Sequence, residues 1–134
     1  MRNIVPLEEV GTFFKDLNKK KVLVGGCFDL VHYGHLQFLK KAKKQGEVLI
    51  ICLESDEFIK RKKNKVSFHT QTQRAEILAA FHMVDVVVLL PFLSTDEEYF
   101  QVVQTVRPQI IAVTEGDSQL KNKQKQAALV GAEV

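Results

Sequence analysis

Residues 22–53 read VLVGGCFDLVHYGHLQFLKKAKKQGEVLIICL, and this stretch decides the fold class. Val22 to Gly26 is a short apolar run ending in two glycines, which reads as a strand entering a tight turn. From Gly34 to Gln45 the spacing predicts an amphipathic helix. Leu36, Phe38, Leu39 and Ala42 gather on one side, and Lys40, Lys41, Lys43 and Lys44 lie largely outside it. Those cations sit at the end favoured by the macrodipole, and Gly46 is the stop. Val48 to Leu53 is apolar throughout, as expected of a strand buried on both faces of a parallel sheet.

The same alternation extends along the chain. Upstream, Leu7 to Asn18 has apolar residues at helical spacing, at 7, 10, 13, 14 and 17. Downstream, Gln71 to Phe81 reads as a helix and Asp85 to Leu90 as a buried strand stopped by Pro91. Thr95 to Val106 reads as a helix with Thr95 as its cap and Asp96, Glu97 and Glu98 in the first turn. A strand at Gln109 to Val113 and a helix at Ser118 to Val130 follow, with Gly131 ending the helix. The expected architecture is α/β: a doubly wound parallel sheet with helices on both faces and right-handed crossovers. Glu133-Val134 reads as the start of a further strand.

A length of 134 residues suits one domain, and 46% apolar with 26% charged residues suits a folded core. No apolar run approaches the roughly 18 residues of a membrane span. Two cysteines make no disulfide framework, so the expectation is a cytoplasmic protein with neither membrane nor nucleic acid as partner. The net charge of +3 argues for nucleic acid only superficially. Five of the positive charges sit in Lys60 to Lys65, and the remainder of the chain is net negative. A local cluster suits a small anion at least as well as a polymer. As a plain reading, the run is a solvated loop.

The chemistry concentrates between Gly25 and Leu36. In open α/β sheets, ligands bind at the carboxyl ends of strands, and a helix start offers unpaired N–H groups to an anion. Gly25 and Gly26 allow close backbone approach. His32 and His35 stand at i and i+3, so both rings face one way, with Gly34 keeping the mouth open. Cys27, Asp29, His32 and His35 also form a zinc set by residue type, but a strand end and a helix start would have to converge on one ion. No metal ligand is assigned to the protein. Cys27 reads as a small pocket residue, Cys52 as core, and His69 and His82 carry no pattern.

The segment resembles the signature G-x-F-D-x-x-H-x-G-H of the cytidylyltransferase-like nucleotidyltransferase superfamily, matched by Gly26, Phe28, Asp29, His32, Gly34 and His35. The resemblance covers residues 7–134. It includes Ser55-Asp56, Gln73-Arg74, Val84-Asp85 and Gly116-Asp117. Within the superfamily, the leading helix, the Gly-Cys-Phe-Asp wording and the Gly-Ala-Glu-Val ending resemble heptose 1-phosphate adenylyltransferase domains most. Glycerol-3-phosphate cytidylyltransferases come next. Those carry an aromatic and a lysine after the third strand, where Pro91 to Glu98 offers Phe92 but no lysine.

The resemblance implies a Rossmann-like sheet of the HxGH type. It also implies transfer of a nucleotidyl group from ATP or CTP to a phosphorylated small molecule, with Mg²⁺ accompanying the nucleotide. It makes His32, His35 and Lys63 catalytic. Gly26, Cys27, Phe28, Gly34, Lys65, Arg74, Gly116 and Asp117 would bind nucleotide, and Asp29 and Lys62 the acceptor. The assignment among Lys62, Lys63 and Lys65 stays open, and so does whether Arg74 faces the phosphates or braces their site. Asp117 also reads as a helix cap. A homodimer is expected. The family continues into a further strand and a Ser/Thr motif beyond Val134, so residues 1–134 are expected to be one domain without that motif.

Overall fold

The computed structural model describes residues 3–114 together with Leu120, Lys121, Lys123, Gln124 and Ala127. Its framework is a five-stranded sheet of β1 (Ile4–Pro6), β2 (Lys21–Gly26), β3 (Val48–Leu53), β4 (Val86–Leu89) and β5 (Ile110–Ile111). All pairings are parallel and the order is β1-β4-β3-β2-β5. The helices are α1 (Val10–Phe13), α2 (Tyr33–Lys43), α3 (Asp56–Lys63), α4 (Gln71–Ala79) and α5 (Asp96–Val106).

The doubly wound α/β expectation holds. Every residue of β3 is buried, and its side chains alternate between two cores. Val48, Ile50 and Cys52 pack with Val10, Phe14 and the α5 residues Val102, Val103 and Val106. Leu49, Ile51 and Leu53 pack on the other face with Leu39 and Ala42 of α2 and Ala75 and Leu78 of α4. Burying each large aliphatic side chain contributes about 1.5–3 kcal/mol, so β3 is the sheet's principal anchor. Among the described residues, no helix is long and apolar enough to cross a membrane.

Four expectations need correction. The helix over Leu7 to Asn18 is instead a 3₁₀ turn (Leu7–Glu9) and a single α turn, α1. The apolar spacing reports real burial of Val10 and Phe14. However, Val10, Gly11 and Thr12 are poor helix formers and neither start has a side-chain cap. A short edge strand, β1, precedes these turns where no strand is expected, and it ends on Pro6, a residue an edge strand tolerates. The strand over Gln109 to Val113 contracts to two residues.

The fourth correction concerns the basic run, which is not a loop from its start. Lys60, Arg61, Lys62 and Lys63 form the last turn of α3, with Asn64 closing it in the left-handed region. Only Phe58 and Ile59 are apolar in that helix, so periodicity gives no signal. Its caps do give one. Ser55 Oγ accepts from Phe58 N, two acids open the first turn, and the cations close the last. Of the helix expected over Ser118 to Val130, the described members are helical; the others, and Glu133-Val134, lie outside the described residues.

Candidate functional site

β2 has β3 on one side and β5 on the other, so the winding reverses there and a crevice opens at the carboxyl ends. The crevice is a cavity of about 830 Å³. Of the residues picked out in the sequence, Gly26, Cys27, Phe28, Asp29, His35, Lys62, Lys63 and Lys65 line it. His32, Gly34 and Arg74 do not line it: His32 and Gly34 are exposed at the start of α2, and Arg74 is fully buried. Gly116 and Asp117 lie outside the described residues.

The turn after β2 is held in an uncommon conformation. Phe28 (φ 49°) and Leu30 (φ 60°) both occupy the left-handed region, which costs non-glycine residues about 1–3 kcal/mol each. Two sets of contacts offset this. The Phe28 ring is buried against His35, centroids 5.2 Å apart, in space that Gly26 leaves open. A Cβ on Gly26 would come within 2.9 Å of that ring. Asp29 accepts from Phe68 N at 2.8 Å and from His69 N at 3.1 Å, tying the turn to the segment before α4. Burial pushes the Asp29 carboxyl up, but these backbone donors and the Arg74 and His69 charges outweigh it and hold it low.

The histidines form a reciprocal cap on α2. His32 Nδ1 accepts from Gly34 N at 3.0 Å, and His35 Nδ1 accepts from His32 N at 3.1 Å. Their rings stack at 3.9 Å. A neutral imidazole carries one proton, so two occupied Nδ1 acceptors place both protons on Nε2. Both rings are thereby fixed as Nε2–H donors. Burial, and then the neighbouring His32, lower the His35 pKa, favouring the neutral ring the cap requires. A Cβ on Gly34 would meet the His32 ring at 2.9 Å, so this glycine makes room for the stack.

Of the two roles the sequence left open for Arg74, the geometry gives bracing. It is fully buried. Nη1 donates to Cys27 O (2.8 Å) and Glu54 O (2.9 Å), Nη2 to Asp56 Oδ1 (2.6 Å), and Nε to His69 O (3.2 Å). One guanidinium thus joins the ends of β2 and β3, the start of α3 and the approach to α4. Lys62, Lys63 and Lys65 are exposed, and among the described residues none of them pairs with a carboxylate. Arg61 differs: it pairs with Glu57 at 2.5 Å and lies over Phe92.

Sequence reasoning missed Glu54 and Tyr99. Glu54 ends β3 on the cavity wall at 8% exposure, and both its oxygens lie within reach of the Tyr99 hydroxyl (2.9 and 3.1 Å). Burial pushes its carboxyl up to about 7, against the Tyr99 bond and nearby cations. The available signal was a charged residue directly after a wholly apolar strand. Burial also raises the Cys27 thiol, and pushes buried Cys52 to about 12, so neither is a ready nucleophile. Among the described residues no three His, Cys, Asp or Glu side chains could hold a metal ion.

The family model described as cytidylyltransferase-like matches residues 23–131. Among curated proteins, the chain is 39% identical over 111 residues to the bifunctional protein HldE of Campylobacter jejuni, covering 82% of this chain and 23% of that protein. It is 37% identical over 109 residues to HldE of Helicobacter pylori, covering 81% and 23%. The chain thus spans about a quarter of the length of these relatives. Among solved structures it resembles a lipopolysaccharide core biosynthesis protein from Thermoplasma volcanium (TM-score 0.71, 24% identity, 87% and 93% coverage). It also resembles a pantoate-beta-alanine ligase from Francisella tularensis (TM-score 0.69, 17% identity, 100% and 66% coverage). These two likenesses concern the fold.

Proposed function

The chain belongs to the cytidylyltransferase-like family, and from that premise we propose that it is a nucleotidyltransferase acting on a phosphorylated sugar. The specific reading is heptose 1-phosphate adenylyl transfer. The acceptor phosphate attacks the α-phosphate of ATP in line, the bond to the bridging oxygen breaks, and pyrophosphate leaves. No covalent enzyme intermediate is required, so the protein's part is positioning and charge stabilisation.

The observation that carries this reading is the reciprocal cap of His32 and His35. It fixes both rings as Nε2–H donors at the positive end of α2, with His35 on the wall of the cavity that Lys62, Lys63 and Lys65 also line, none of the three paired with a carboxylate among the described residues. Donors fixed before the reaction need no reorganisation as charge develops on the α-phosphate. Lys63, with Lys62 and Lys65, would hold the remaining phosphate charge, and the Phe28–Asp29 turn would seat the acceptor. The described donor set offers no cage for Mg²⁺. The ion would enter on the nucleotide, with phosphate oxygens as ligands, and supply charge neutralisation there. The reading extends to a cytoplasmic homodimer, for which sedimentation is the direct measurement.

Pyrophosphate release is the test, with ATP or CTP paired with heptose 1-phosphate or glycerol 3-phosphate. Release with ATP and the heptose phosphate supports the specific reading. Release only with CTP and glycerol 3-phosphate moves the chain to the cytidylyltransferase alternative. Nucleotide binding without release makes it a non-catalytic nucleotide-binding module. Replacing Lys62, Lys63 and Lys65 together by Ala should raise the nucleotide KM and flatten its salt dependence.

A further inference from the structure

The cavity lining holds two chemically different sets of residues. Lys62, Lys63, Lys65 and His35 make one, where an anion is welcome. Glu54 lies in the wall formed by β3 and α5, which also presents Thr95, Asp96 and Tyr99. Cations also act on Glu54, Lys123 first and then Arg74 and Lys63, so this wall is mixed in charge and suits a neutral group rich in hydroxyls.

Glu54 is costly as a merely structural residue. A carboxylate at 8% exposure has lost most of its water, and a Gln or an apolar side chain would fill the same wall at lower cost. Its bond from Tyr99 leaves acceptor capacity over, because one hydroxyl proton cannot fill the lone pairs of two oxygens. Arg74, which passes directly behind, bonds the Glu54 backbone carbonyl and leaves the carboxylate alone. Tyr99 is itself half-buried against the core and fixes the carboxylate's orientation.

We propose that Glu54, oriented by Tyr99, is the hydroxyl-recognising residue of this cavity, accepting hydrogen bonds from neighbouring hydroxyls of a bound sugar. Glu54 is a binding residue and Tyr99 a positioning residue. The inference rests on the nucleotidyltransferase reading and sharpens it. The lysines and His35 would bind any phosphorylated ligand, and Glu54 would select those with a polyol next to the phosphate. Burial is the main cause of the upward push on the Glu54 carboxyl, and hydroxyl donors from a ligand would oppose it. Two sugars could supply the hydroxyls, the acceptor's and the nucleotide's ribose, and the ligands below separate them.

The experiment is calorimetric binding to the whole chain, as wild type, Glu54→Gln and Tyr99→Phe, each checked for folding by circular dichroism. The probes are inorganic phosphate, ATP, 2′-deoxy-ATP and heptose 1-phosphate. The expected result is inorganic phosphate bound no more weakly by either variant, with a sugar ligand weakened about 10- to 100-fold in Glu54→Gln and less in Tyr99→Phe. Weakening confined to heptose 1-phosphate assigns the hydroxyls to the acceptor. Weakening of ATP, with 2′-deoxy-ATP already weak in the wild type, assigns them to the ribose. Sugar ligands that bind Glu54→Gln within about twofold of wild type overturn the proposal, as does a parallel loss of inorganic phosphate. A wild-type chain that binds neither nucleotide nor sugar phosphate overturns the nucleotidyltransferase reading itself.

Discussion

At the amino end of the sheet, Asp85 accepts from Lys43 at 2.6 Å and from Leu49 N at 2.8 Å, and Lys43 also donates to the Glu47 carbonyl. Both side chains of that pair are about a third exposed, and their charges cancel. At the carboxyl end, Arg74 is wholly buried and cancelled by Asp56, yet among the described residues Lys62, Lys63 and Lys65 pair with no carboxylate, and Glu54 is buried in the wall of the same cavity. One end is neutralised within itself. The other is braced rigidly, and among the described residues its three cavity lysines have no ion-pair partner, which suits an anionic ligand. Val84-Asp85, part of the family resemblance, belongs to the first end and holds the start of β3 and the end of α2. Motif residues therefore divide between scaffold and site.

The sharpest way to break this comparison is to remove Arg74. Arg74→Ala strands Asp56 and three backbone carbonyls, and should lower stability by about 3–5 kcal/mol in denaturant unfolding. A loss below about 1 kcal/mol would show that the brace is dispensable. Next comes His35→Ala, which should cut turnover about 10²- to 10³-fold. The same variant should cost about 1–2 kcal/mol of stability, because it removes one cap bond and the ring contacts with Phe28 and His32. Near wild-type rates would exclude the proposed role.

The third prediction uses pH. Burial raises Glu54 from its ordinary 4.5 to about 7, so the folded chain holds this proton more tightly than the unfolded chain. Its stabilising contribution is full below pH 4.5 and disappears as pH rises to 7, about 3 kcal/mol in total. Asp29 runs the other way: its carboxyl is held low, so its contribution is present above its ordinary 3.8 and fades in acid. Urea unfolding of wild type and Glu54→Gln at pH 5 and pH 8 checks the sign. The gap between the two proteins should shift in favour of Glu54→Gln at the higher pH, and a constant gap would refute it. The smallest effect belongs to the amino end. Lys43→Ala should cost at most about 1 kcal/mol, and less at high salt, because water screens that pair.

Much of this was legible in the residues. The apolar run Val48 to Leu53 could only be a strand buried on both faces. Thr95 caps α5 with three acids in the first turn, as the residues suggest. His32, Gly34 and His35 lie within four residues, so local geometry alone brings their rings together. The sequence by itself determined these features because each depends on neighbours within a turn or on strand alternation. Only the tertiary structure decided the rest. Arg74 braces because β2, β3, α3 and α4 converge on it. Glu54 meets a hydroxyl 45 positions away on α5. Long-range pairs leave no period in the chain, and the burial that gives Glu54 its chemistry exists only once the sheet and α5 have closed over it.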